Sequence, residues 1–79
     1  MVMKFSGIKS VGIERQGGRM TVSVMHMRGR WSGEFDAVEL TVYREHGKFV
    51  LIDKMPQKVV LYDALTVEIT DGGGVTVIV

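Results

Sequence analysis

Arg19-Met20-Thr21-Val22-Ser23-Val24-Met25-His26-Met27 is the stretch that decides the fold class. Taken alternately, Met20, Val22 and Val24 fall on one face and Thr21, Ser23 and Met25 on the other, which is the period of a half-buried β-strand. Ile8 to Glu14, upstream, reads as a strand joined to it through Gln16-Gly17-Gly18, where glycine supplies the positive φ of a hairpin turn. Downstream the pattern resumes, with Val38, Leu40 and Val42 toward a core and Glu39, Thr41 and Tyr43 away from it. Glu45-His46-Gly47 then turns the chain into Lys48 to Lys54. Lys58 to Tyr62 and the Leu65, Val67, Ile69 series continue as strands, and Asp71-Gly72-Gly73-Gly74 turns into Val75 to Val79. No stretch sustains the helical spacing i, i+3, i+4, i+7 over successive turns.

The expectation is therefore an all-β chain. About seven short strands joined by tight turns make a meander that curls into a small, strongly bent β-barrel, one domain over residues 1–79, with an extra C-terminal β-hairpin. Two segments break the alternation and read as loops: Arg28 to Glu34, and Met55-Pro56-Gln57, where proline cannot donate to a ladder. Val75 to Val79 carries no side-chain charge, so it has to be paired, within the barrel or with a neighbouring subunit.

Composition narrows the function classes. At 79 residues the core is small, and with no cysteine there is neither a disulfide framework nor a thiolate metal site. Two histidines are too few for the usual zinc arrangements, so the expected stabilising partner is a second copy of the chain. The apolar runs are too short to span a bilayer, and the first residues lack the succession of a signal peptide, which reads as a cytoplasmic protein without a membrane role. Net charge is +1 but unevenly spread. Residues 1–33 hold six cations against Glu14 alone, net +5, and residues 34–79 hold four against eight carboxylates, net −4. That asymmetry is either a solvated surface of mixed sign or a basic face formed on folding.

Arg28-Gly29-Arg30-Trp31-Ser32-Gly33 is the segment richest in chemistry. Two guanidiniums flanking an indole suit phosphates and stacked bases; alternatively Trp31 plugs one end of the barrel and the arginines are surface charges. His26 could stack on a base or serve as a partly buried structural residue, and Lys54 and Lys58 frame the second break with two more charges. No nucleophile stands beside a base, no paired carboxylates are evident, and Asp71 to Gly74 lacks the helix that makes a glycine loop a phosphate site. An enzyme, a cofactor, a metal and a small-molecule substrate are thus not expected.

These residues carry a resemblance. Gly29 to Val42, with its two glycines and Phe35-Asp36 ahead of Val38-Glu39-Leu40, looks like the first motif of the Sm-like RNA-binding ring proteins (the Sm, LSm and Hfq type), and Phe49 to Leu61 looks like a loosened second one. Glu39 stands where that family has asparagine, and Asp53-Lys54 replaces its Arg-Gly. The resemblance covers residues 8–63 and implies a homo-oligomeric ring that binds single-stranded RNA, or DNA, at loops facing a pore. Its site would comprise His26, Arg28, Arg30, Trp31, Lys54 and Lys58. The rival readings are a structural assembly protein, in which Trp31 anchors an interface, and an adaptor that offers an edge strand to a protein partner.

Overall fold

The computed structural model describes residues 2–44 and 58–79 in full and the backbone of 47–52. The described residues form nine β-strands and no helix: β1 (Val2–Ser6), β2 (Ile8–Gln16), β3 (Arg19–His26), β4 (Gly29–Phe35), β5 (Glu39–Arg44), β6 (Gly47–Ile52), β7 (Lys58–Tyr62), β8 (Thr66–Thr70) and β9 (Gly74–Ile78). They pair into two sheets, one of five strands in the order β1-β8-β9-β5-β6 and one of four in the order β4-β3-β2-β7. No helix among the described residues is long and apolar enough to cross a membrane.

The chain passes between the layers at short connections. Gly7, at φ 63, takes it from β1 in one sheet to β2 in the other within a single residue. Asp63, at φ 57, begins the return from β7 to β8, and its N–H donates to the Lys9 carbonyl at 3.2 Å. Aspartate is among the few residues that tolerate the left-handed region.

Alternation places the core. Val11, Ile13, Met20, Val22 and Val24 of the four-stranded sheet are buried with Leu40, Val42, Val67, Ile69, Val75 and Val77 of the five-stranded one. A register shift in β2 between Ile8 and Ser10 lets Ile8 and Val11 both be buried although they are three apart, as a bulge does. Phe5, Trp31, Phe35, Val59 and Leu61 are partly buried and pack against this cluster.

Four expectations are revised. Residues 29–35 are a strand and not a loop, because Met27-Arg28 makes a tight turn and β4 pairs with β3 from Gly29↔His26 to Phe35↔Met20. Val2–Ser6, outside the expected strands, pairs with β8 throughout. The order is not a meander: β1 lies beside β8, β7 beside β2, and β9 runs parallel to β5. The C-terminal hairpin is no appendage either, since β8 and β9 are interior strands of the larger sheet. Val75 and Val77 are accordingly paired within the chain, with neighbours on both sides.

Candidate nucleic-acid interface

At the rim where β1 of one sheet meets β3 and β4 of the other, three rings gather. The Phe5 ring centroid lies 5.2 Å from that of His26 and 5.8 Å from that of Trp31, tilted by 40° and 42°, within the range of favourable aromatic pairs. Beside them is an open recess of about 500 Å³, lined by Lys4, Phe5, His26, Met27 and Arg28 together with Ser6 and Gly7. Strand alternation explains the convergence. Phe5 is on the inward-facing side of β1, His26 ends β3, and Arg28 occupies the turn that follows.

The turn fixes the histidine ring. The Arg28 backbone N–H donates to His26 Nδ1 at 3.4 Å, which puts the proton of the neutral ring on Nε2. Arg28 has no carboxylate partner among the described residues, whereas Lys4 lies 3.8 Å from Glu68, its cross-strand neighbour. Exposed pairs of that kind are weak, so the Lys4 ammonium remains available to an anion. The recess thus sets two stackable rings beside the Arg28 guanidinium, while Lys4 borders it from the outward side of β1.

The residues expected to share one site fall in two places. His26 and Arg28 line the rim recess, with Trp31 behind them: its indole packs on Phe5 and lies flat along its own strand, where a Cβ added at Gly33 would come within 2.7 Å of it. Arg30 and Lys58 are instead on the outer face of the four-stranded sheet, where they border a shallow groove of about 250 Å³ floored by Gly12, Thr21 and Ser23. Successive residues of a strand point to opposite faces, so Arg30 and Trp31 cannot act on the same group. Lys54 and the expected Met55-Pro56-Gln57 loop lie outside the described residues, as do Glu45, His46 and Asp53.

Phe5 and Lys4 belong to the recess and fall outside the expected site. Their signal is present in Val2-Met3-Lys4-Phe5-Ser6, whose charge sits on the side opposite the apolar ring, yet five residues at a terminus are a weak case for a strand. No group of three or more metal-binding side chains occurs among the described residues. No family model, curated protein or solved structure matches the chain.

Proposed function

We propose that this protein is a non-catalytic binding module that takes single-stranded RNA or DNA at the rim recess. Phe5 and His26 offer ring faces to a base, Arg28 neutralises the adjoining phosphate, and Lys4, on the outward side of β1, meets a phosphate further along the strand. The observation that carries the reading is the convergence of tilted rings and cations around one open recess of about 500 Å³. Stacking on aromatic side chains together with cations along a backbone is the chemistry of sequence-tolerant single-strand binding. A small closed barrel of the Sm-like kind, repeated in a ring, would multiply such a site, but the recess is complete within one chain and needs no pore.

Fluorescence anisotropy with short labelled homopolymers, titrated at several salt concentrations, tests the proposal. Binding should weaken linearly in log–log form as salt rises. It should also weaken in Arg28→Ala. A flat titration at low salt, or binding indifferent to Arg28→Ala, would remove the recess from consideration as a nucleic-acid site.

A further inference from the structure

Among the described residues β4 has a neighbour on one side only, since β3 pairs with it from end to end and no strand of its sheet lies beyond it. Its seven residues, Gly29-Arg30-Trp31-Ser32-Gly33-Glu34-Phe35, are complementary to themselves read backwards. Turned about Ser32, Arg30 meets Glu34, Trp31 meets Gly33 and Gly29 meets Phe35. We propose that this edge pairs antiparallel with the same edge of a second copy of this chain, centred on Ser32, so that two four-stranded sheets join into one across a two-fold axis.

The backbone has the right parity. His26 and Gly29 close the two-residue turn, so they exchange both backbone bonds, and Gly29, Trp31, Gly33 and Phe35 direct their N–H and C=O groups to β3. The alternate residues, Arg30, Ser32 and Glu34, therefore direct theirs to the open edge. Centred on Ser32, each of these faces another such residue, as a ladder requires.

The side chains select this register over its neighbours. On the outer face each Arg30 stands opposite Glu34 of the second copy, and opposite charges across a ladder stabilise it. Arg30 has no carboxylate partner in its own chain among the described residues. The Glu34 carboxylate, 65% exposed and 3.6 Å from Arg19, keeps lone pairs for a second guanidinium. On the inner face Phe35 stands opposite Gly29, and Trp31 stands opposite a Gly33 that the second copy's own indole already covers, so the two indoles meet across the axis. Centring on Trp31 or on Gly33 would remove the Arg30–Glu34 pairing. An unrelated strand could add to the edge, but this chain supplies the matching pattern itself. The pairing neither needs nor excludes nucleic acid.

Sedimentation velocity across micromolar concentrations, with four variants, decides it. The wild type should dimerise. Ser32→Pro should be monomeric with an unchanged far-ultraviolet spectrum, because that N–H bonds only across the interface and proline is accepted on an open edge. Ser32→Cys should oxidise to a disulfide dimer, since hydrogen-bonded antiparallel pairs hold their Cα atoms about 5.5 Å apart. Ser23→Cys, on the same face but on β3, should not. Arg30→Glu should raise the dissociation constant about tenfold by opposing two carboxylates at both symmetric positions, and adding Glu34→Arg should restore it. A monomeric wild type overturns the proposal. So does a dimer that is indifferent to Arg30→Glu and that Ser32→Cys cross-links no faster than Ser23→Cys. If Ser32→Pro fails to fold, the cysteine pair and the charge exchange still distinguish a dimer through this edge from one formed elsewhere.

Discussion

β9 and β4 show how differently this chain uses its strands. β9 lies between β8 and β5, and its inward residues Val75 and Val77, only 1% and 0% exposed, serve the core. β4 borders the smaller sheet, has no fully buried residue and carries glycine, arginine and tryptophan in close succession. In a domain this small the regular β-branched segments are drawn to the interior of a sheet, where two neighbours satisfy their backbone and the facing layer covers their inward side chains. Composition that would weaken a central strand is tolerated at an edge, and there it is free to take part in recognition.

The sharpest way to break that contrast is to put a charge in each strand. Val77→Asp buries a carboxylate with no partner, at a cost of about 3–5 kcal/mol, comparable with the whole stability of a domain of this size. Circular dichroism and urea titration should find it largely unfolded. Ser32→Asp on the exposed side of β4 should stay within about 0.5 kcal/mol of the wild type in dilute protein. Equal losses in the two variants would mean that the edge strand carries as much of the fold as the central one.

Glycine substitutions test the same contrast at smaller scale. Gly73 adopts φ 91 in the turn into β9, a Cβ there would press on the Ala37 carbonyl, and its own carbonyl accepts from Glu39 N–H at 3.1 Å. Gly73→Ala should therefore cost about 2–4 kcal/mol, combining left-handed backbone strain with a contact that only main-chain movement relieves. Gly33→Ala meets the indole of Trp31 instead, a side chain at the rim that can tilt. It should cost about 1 kcal/mol and alter the emission of the single tryptophan. Chemical denaturation followed by that fluorescence measures both.

Within the rim the comparison is between a ring that faces the recess and one that supports it. His26→Ala should weaken single-strand binding by about 1–3 kcal/mol for each base stacked there, with the fold intact. Trp31→Ala should lower stability first, because the indole packs on Phe5 and the core. Anisotropy and thermal melts on the same two proteins separate the roles, and a Trp31→Ala that binds poorly while melting normally would reverse them.

The all-β class, the hairpin at Gly17-Gly18, the inward residues of β3 and β5, and Val67 and Ile69 of β8 are legible in the sequence because period-two alternation is local information, whereas Leu65, which the same alternation joins to them, precedes β8 and is exposed. Strand order is not, because which edges meet depends on how the two layers stack, and no spacing in the sequence encodes that β9 runs parallel to β5. β4 reads as a loop for a specific reason: glycine at 29 and 33 suggests one, whereas Gly29 follows a tight turn and Gly33 makes room for Trp31. The loop reading also merges Arg28, Arg30 and Trp31 into one site, although a strand sends successive residues such as Arg30 and Trp31 to opposite faces. His26 and Arg28 remain neighbours because a turn keeps adjacent residues together.

The smallest expected effect isolates the electrostatics of the rim. Arg19 sits on the same sheet but is already engaged, with Nη1 3.1 Å from Asp36 Oδ1 and Nε 3.6 Å from Glu34 Oε2. Arg28 has no carboxylate partner among the described residues and lines the recess. A cation that releases a counterion on binding contributes to the salt dependence, whereas one neutralised within the protein contributes little. Arg28→Ala should therefore reduce the slope of log affinity against log salt by about 0.7, the value for one phosphate contact to a single strand. Arg19→Ala should leave the slope unchanged and shift stability by less than about 1 kcal/mol, as loss of exposed ion pairs does. Equal slopes for the two variants would mean that binding follows overall charge, and the phosphates would then have to be sought on the outer face around Arg30 and Lys58.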